Sequence, residues 1–402
     1  PCAHLHSDGR TFPVTIEHLA KPLHPDHDPP WDAAATAYER AARAGEAPGD
    51  TLIFMPGAYE IQRTIEALRH TPAAKGALLL PLHGELPPHE QDAAVARHDC
   101  KKIVVATNVA ETSLTIDGIR LVIDSGLARV ARFDPWRGIN TLLIEHISRA
   151  SADQRAGRAG RTAPGRAIRL WTEQEHAGRA AHDVPEIKRV DPAEILLTLK
   201  ALGVADVAAF PWLEPPEPRA QDRALTLLHD LGALDATGAP TAVGLRMLNF
   251  PVHPRYARML LAAAERGAVR PVALMAAIAQ SRPLLVRNAG RQAVEQRRDI
   301  LGEAGGSDLF LLMRAWNYAR HNQFDLQRCR KLGIHAAAAR QVGPVWDYFL
   351  RIAAAQQLPL ETSPPEDADV AKCILLGFSD QVARRLDRGT LRLAFRRMPG
   401  AG

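Results

Sequence analysis

Two polar segments carry the residues best suited to chemistry. The first runs Ala106-Thr107-Asn108-Val109-Ala110-Glu111-Thr112-Ser113-Leu114-Thr115-Ile116-Asp117-Gly118 and follows the apolar run Ile103-Val104-Val105. Ligands of an open α/β sheet bind at the carboxyl ends of its strands. A loop leaving such an end offers hydroxyl and amide groups that suit a phosphodiester backbone and a nucleotide edge. Capping of a turn is the plainer reading of Thr107 alone; the segment as a whole favours a ligand. The second segment runs Ser151-Ala152-Asp153-Gln154-Arg155-Ala156-Gly157-Arg158-Ala159-Gly160-Arg161. Ser151 with Gln154 fits a capping box, which predicts a helix starting near Ala152. Arg155, Arg158 and Arg161 recur every third residue, so neighbouring members share roughly one helix face. No carboxylate three or four residues away neutralises Arg158 or Arg161 within the segment. Gly157 and Gly160 each weaken a helix by about 1 kcal/mol relative to Ala. Stacked like charges beside two such glycines point to an anion docked against closely approached backbone.

Other constellations are weaker. The 16 histidines include no HExxH, and Leu23-His24-Pro25-Asp26-His27-Asp28 is broken by proline, so it reads as a solvated loop rather than a metal site. Trp316 and Tyr318, close to Leu311-Leu312-Met313, read as helix core. Arg282, Arg287, Arg291, Arg297 and Arg298 suit a nucleic-acid channel or a solvated face equally.

The polar segments need a scaffold to hold them. A strand-like piece at Arg10–Val14 and a helix around Asp32–Gly45 come first. From Asp50 to Leu170 strands alternate with helices: Thr51–Met55, Tyr59–Leu68, Ala77–Leu82, Pro88–Arg97, Lys102–Ala106, Arg120–Ser125 and, last, Ala167–Trp171. That alternation predicts a parallel sheet covered on both faces. Leu127–Ile147 interrupts it with two alternating segments around Asp134-Pro135-Trp136-Arg137-Gly138, a hairpin signature. Beyond residue 182 the chain turns helical. Pro192–Leu202 and Gln221–Leu231, then a tight turn between short strands over Gly232–Thr241, suggest a winged-helix module. Helices follow at Pro254–Arg266, Val269–Gln280, Asp308–Asn322 and His335–Gln357, the last with Gly343-Pro344 inside it. Glu361–Asp369 reads as a linker, and Ala371–Phe395 begins another small unit.

Composition sets outer limits. A chain of 402 residues with 46% hydrophobic and 24% charged residues is too long for one ordinary domain and is not wholly disordered. No apolar run approaches the roughly 18 residues of a membrane span. The 4 cysteines, Cys2, Cys100, Cys329 and Cys373, form no CxxC pair. A zinc ribbon is thereby excluded, a disulfide framework is disfavoured, and a reducing cytoplasm is expected. A net charge of +5 is too small to establish nucleic-acid binding. Most cations are arginine, which suits bidentate phosphate recognition, although a GC-rich genome produces the same bias. The chain opens at Pro1 without a signal-peptide pattern and is expected to be a piece of something longer.

Taken in order, the two polar segments resemble motifs V and VI of superfamily 2 DEAH-box helicases. Leu52-Ile53-Phe54-Met55-Pro56-Gly57-Ala58-Tyr59-Glu60-Ile61 resembles motif IV, and Pro81-Leu82-His83-Gly84-Glu85-Leu86-Pro87 the segment after it. A hairpin between motifs V and VI is typical of that family. Pro185-Glu186-Ile187 and Asn249-Phe250-Pro251-Val252-His253-Pro254-Arg255 resemble its winged-helix and ratchet domains, and Leu332-Gly333-Ile334-His335 points to the bacterial HrpB-type branch. Val95 departs from the pattern, standing where many relatives place an aromatic residue against adenine.

The resemblance implies an α/β, RecA-like parallel sheet with an inserted β-hairpin, followed by winged-helix and helical ratchet domains. Residues 1–182 would be the second RecA-like domain with the hairpin at about 127–147. A winged helix over 183–250, a ratchet over 251–358 and the start of a C-terminal module over 370–402 would follow. No Gly-Lys-Ser/Thr end of a Walker A loop and no Asp-Glu-x-His occur here. ATP and Mg²⁺ would therefore be held mainly by a first RecA-like domain expected before Pro1. Gln154 would orient the attacking water or a phosphate, with Arg158 and Arg161 as arginine fingers. Their removal is expected to abolish turnover while leaving stability and RNA affinity nearly unchanged. Thr115 and Asp117 would face the nucleotide, and Thr107, Asn108 and Ser113 would hold the RNA backbone. The implied partner is single-stranded or structured RNA, with no membrane and no indicated protein partner. Two other readings stand beside this: a catalytically inert RNA-binding adaptor derived from a helicase, and a DNA helicase of the same superfamily.

Overall fold

Short runs of β-branched and aliphatic residues with few polar interruptions can be buried on both faces, as strands of a parallel sheet are. The computed structural model, which describes residues 12–24, 27–112, 114–135, 138–302, 307–360, 365–385 and 393–395, places such runs in a first unit of residues 1–132 and 142–186. Its elements begin with β1 (Val14–His18), α1 (Pro30–Arg43), β2 (Asp50–Phe54), α2 (Ala58–Arg69), β3 (Leu78–Leu82), α3 (Pro88–Val95), β4 (Lys102–Ala106) and β5 (Ile119–Asp124). The hairpin strands β6 (Leu127–Asp134) and β7 (Ile139–His146) follow, then α4 (Arg149–Gly157), β8 (Gly165–Arg169) and α5 (Glu173–Ala177). The sheet order is β1-β8-β5-β2-β4-β3, parallel throughout.

Successive side chains alternate between the two faces of the sheet. Ile53 and Met55 join Tyr38, Ile61, Ile65 and Leu68 of α1 and α2 on one side. Leu52 and Phe54 join Val104, Ala156 and Ala159 on the other. The register sets Phe54 and Leu82 each opposite Ala106, so the loops leaving β2, β3 and β4 emerge side by side. Lys102 of β4 is fully buried, and its Nζ donates to the carbonyls of Ala94, Val95 and Ala96 at the end of α3. A cation there satisfies carbonyls that the helix itself leaves unpaired.

The expected elements recur with shifted ends, and two shifts have clear causes. The first strand is Val14–His18 rather than Arg10–Val14, because Val14 to His18 pair in parallel with Gly165 to Arg169; Arg10 and Thr11 lie outside the described residues. The second shift is at α4, which is capped by Ser148 rather than Ser151. Ser148 is extended and its Oγ accepts from Ser151 N at 3.1 Å. At the hairpin bend, Gly138 N donates to Asp134 O at 2.8 Å with Gly138 at φ +63°, a conformation that favours glycine; Trp136 and Arg137 lie outside the described residues.

The second unit, residues 133–141 and 187–402, is mainly helical. It holds α6 (Ala193–Ala201), α7 (Pro218–Asp230), α8 (Ala242–Met247), α9 (Pro254–Glu265), α10 (Val269–Gln280), α11 (Arg291–Leu301), α12 (Asp308–His321), α13 (Leu326–Lys331), α14 (Ala336–Ala355) and α15 (Asp367–Gly377), then short strands β9 (Ala383–Arg385) and β10 (Leu393–Phe395). The strands expected within Gly232–Thr241 reduce to one antiparallel bridge between Leu234 and Pro240. Trp316 is buried and donates to Ala339 O at 2.8 Å, so it belongs to the core. Within this unit Arg255 is buried too. Its Nε donates to Gly138 O at 2.9 Å, and its terminal nitrogens reach Asp380 at 2.5 and 2.6 Å and Gly377 O at 2.9 Å. Among the described residues no helix is long and apolar enough to cross a membrane.

Candidate nucleotide and nucleic-acid site

The loop after β4 leaves its strand at the carboxyl edge of the sheet. Thr107 N donates to Leu82 O at 3.0 Å, tying the loop to the end of β3, and residues 108–110 form a single 3-10 turn. Thr107 is half-buried and Asn108 exposed, so both sit where a ligand on this edge would lie; Ser113 is outside the described residues. Farther on, Thr115 is exposed and Asp117 is half-exposed, paired with Arg97 at 2.9 Å.

The arginine segment does not continue as the expected helix face. α4 ends at Gly157, and Arg158–Gly160 tighten into a 3-10 turn. The three guanidiniums reach three different sets of partners, each supplied from elsewhere in the chain. Arg155 turns inward and is 1% exposed. Its Nε meets Glu111 at 2.9 Å, its Nη1 meets Asp124 at 2.9 Å and Leu127 O at 3.2 Å, and its guanidinium lies 4.8 Å from the centre of the Phe54 ring. Burial opposes its charge, but Asp124 and Glu111 outweigh that and hold its pKa above the ordinary arginine value. Arg158 is also buried. It donates to Leu114 O at 2.7 Å and to Glu111 O. Burial first, then the neighbouring Arg161, pushes its pKa down, with Glu111 opposing. Arg161 is exposed and donates to the Thr115 hydroxyl at 2.5 Å. Gln154 is exposed on α4.

Five of the predicted residues fall into two linked groups, while Asp117 pairs with Arg97 and Gln154 stands exposed on α4. Thr115, Arg158 and Arg161 are drawn together by hydrogen bonds between the arginine segment and the loop after β4. Thr107 and Asn108 stand at the start of that same loop. One expectation changes: Arg158 is not a free surface charge, so its loss would also strip two carbonyls of their donor. Sequence reasoning gave no role to Arg155 or its partners. The signal was present in Ile119-Arg120-Leu121-Val122-Ile123-Asp124, where a carboxylate closes a buried strand and needs a cation nearby.

Known proteins resemble this chain in sequence and fold. Residues 28–163 match the helicase conserved C-terminal domain, and residues 253–327 match the ratchet-like helicase-associated domain HA2. These matches, with those that follow, support a C-terminal part of a DEAH-box helicase. It is 32% identical to the Escherichia coli ATP-dependent RNA helicase HrpA over 98% of its length and 32% of that protein's. The human probable ATP-dependent RNA helicase DHX35 is 32% identical, over 97% of this chain and 56% of that one. The crystal structure of Escherichia coli DEAH/RHA helicase HrpB is similar at a TM-score of 0.65 and 31% identity, covering 94% of this chain and 42% of that one. The chain therefore spans about half the length, or less, of the relatives it matches. In the DEAH-box family frame, its first unit carries the helicase C-terminal domain, with the β4 loop and arginine segment facing each other inside it. Among the described residues no three His, Cys, Asp or Glu side chains converge as a metal site.

Proposed function

We propose that the protein containing this chain is an ATP-dependent RNA helicase, in which the first unit couples nucleotide turnover to movement along a strand. The observation that carries the reading is the bracing of the β4 loop by Arg158 and Arg161. One loop bears both the proposed strand-holding residues, Thr107, Asn108 and Ser113, and the proposed nucleotide-facing residues, Thr115 and Asp117. Any shift of the arginines on nucleotide turnover is thereby transmitted to the residues that hold RNA.

ATP enters this reading as substrate, with Mg²⁺ held mainly by a partner RecA-like domain. The residues present fit that role in different degrees. Arg161, exposed and bonded to a hydroxyl, is free to swing to a γ-phosphate, and Gln154, exposed on α4, would orient water. Arg158 is held in reserve, since it donates only to carbonyls while the nearby Glu111 carboxylate bonds Arg155, so an anion would be a better partner. Positioning and charge stabilisation, rather than covalent chemistry, are what such a site contributes. The same reading includes a second RecA-like domain over 1–182, a winged helix over 183–250, a ratchet over 251–358, a terminal module from 370, the HrpB-type branch and a cytoplasmic location. The HA2 match and the buried free thiols Cys329 and Cys373 support parts of it.

The deciding measurement is steady-state ATP hydrolysis by the full-length protein with and without single-stranded RNA. Stimulation by RNA, lost when Arg161 is changed to Ala, is the expected result. A rate indifferent to RNA would favour the adaptor reading, and equal stimulation by matched DNA would remove the RNA preference.

A further inference from the structure

Tyr59 opens α2 just beyond Gly57 and is 52% exposed. Its ring is nonetheless held, standing edge-on to Trp31 of α1 at 5.8 Å with the planes at 89°. Arg63, one turn along α2, lies over the Trp31 ring at 5.7 Å. The seam between the two helices is already filled by Ala34, Tyr38, Ile61 and Ile65, so Tyr59 is not there to complete a core. The result is an open aromatic face, fixed by a second ring and flanked by a cation.

Its place in the sheet gives that face a ligand. β2 and β4 are parallel neighbours, with Phe54 opposite Ala106 and Met55 N donating to Ala106 O at 2.8 Å. The Met55–Gly57 loop therefore runs beside Thr107 and Asn108, and Tyr59 stands at its far end. Adjacent strands are about 4.8 Å apart, so the loops leaving β2 and β4 lie within reach of one short single strand. A cation marks the way: Arg129 covers Gly57 so closely that a Cβ there would lie 2.6 Å from its guanidinium. Arg129 faces Glu60 at 3.8 Å, beyond hydrogen-bond distance. Of the acids nearby, Glu66 pairs with Arg63 at 2.6 Å, while Asp32 is exposed next to Trp31.

We propose that Tyr59, backed by Trp31, is a stacking platform for one base of a single strand whose backbone lies on the Thr107–Asn108 loop. The proposal rests on the RNA-binding reading above and adds a subsite to it. Base–aromatic stacking tolerates any base, so the platform would contribute affinity without sequence choice.

The test uses the 402-residue chain and short single-stranded RNAs, each carrying one 2-aminopurine at a different position. Stacking quenches that reporter. With the unaltered chain, one position is expected to be quenched on binding. Tyr59→Ala should abolish that quenching and weaken binding on the order of ten-fold. Tyr59→Phe should keep both, and Tyr59→Leu should behave like Ala, which separates an aromatic face from mere bulk; matched thermal melting of the variants checks their folding. Quenching and affinity unchanged in Tyr59→Ala would overturn the platform and leave the patch to a protein partner. Failure of the unaltered chain to bind any single strand would instead sink the RNA reading itself.

Discussion

Arg255 in the helical unit and Arg158 in the sheet unit are both buried arginines, yet they are satisfied in opposite ways. Arg255 donates from all three nitrogens, two of them to one carboxylate, and its guanidinium lies 5.1 Å from the Phe378 ring centre. Arg158 donates only to carbonyl oxygens and has Arg161 as a like-charged neighbour. A carboxylate cancels charge as well as filling donors, whereas a carbonyl fills donors and leaves the charge. The first arrangement is complete as it stands; the second is improved by an anion. The difference distinguishes an arginine that builds from one that waits for a ligand.

The largest effect should come from the waiting arginines. In the full-length protein, Arg161→Ala is expected to lower kcat by roughly 10³–10⁵, as for other arginine fingers, while changing stability by less than about 0.5 kcal/mol. Arg158→Ala should lower kcat comparably and also cost about 1–3 kcal/mol, because Leu114 and Glu111 carbonyls lose their donor. Steady-state turnover and thermal melting on the same samples separate the two. Full turnover in both variants would make these arginines scaffold, like Arg255.

Arg255 should show the reverse pattern in the 402-residue chain. Arg255→Met strands a buried carboxylate at Asp380 and is expected to cost about 3–5 kcal/mol in chemical denaturation. Adding Asp380→Asn should recover part of that loss. An unchanged denaturation midpoint would show that the Arg255–Asp380 pair contributes nothing.

A smaller effect tests the start of α4. Ser148→Ala should cost about 1 kcal/mol by removing the cap, and Ser151→Ala should stay within about 0.5 kcal/mol. Equal losses would return the cap to Ser151.

The mildest effect is a pH dependence in the sheet unit. His18 and His176 sit with ring centres 5.3 Å apart beside Arg169, Arg179 and Trp171. Burial first, then Arg169, lowers the pKa of each, against weaker pulls from Glu173 on His18 and Asp153 on His176. The unfolded chain then binds protons that the folded one refuses. Their contribution is fully present above the unfolded histidine value near 6.5 and is lost as pH falls through the lowered folded values. Melting temperature should drop between pH 7 and 5, less so in His18→Gln. Flat melting over that window would remove both histidines from the balance.

Much of the first unit could be read along the chain because strand and helix periodicity are local. β4 and α10 fall where expected, and most other ends move by one to a few residues, where pairing rather than composition decides. Thr107, Asn108, Thr115, Arg158 and Arg161 could be picked out because clustered hydroxyls and arginines without local carboxylates are costly unless used. Short helices such as α8 and α13 were not legible, since their apolar faces are too brief to set a period and form by packing on longer neighbours.

Residue types and spacing by themselves determined the parallel α/β order, the inserted hairpin, the helical second half and the two polar segments, one after a strand and one opening a helix. Only the tertiary structure decided what each arginine does. Arg155, Arg158 and Arg161 are equivalent in sequence, but in the folded chain one meets Asp124 and Glu111, one meets backbone carbonyls and one stays at the surface on the Thr115 hydroxyl. A guanidinium's role follows from its partners, and those partners lie some 28 to 47 residues away in the chain. Distances of that kind are set when the sheet closes, not by any local preference.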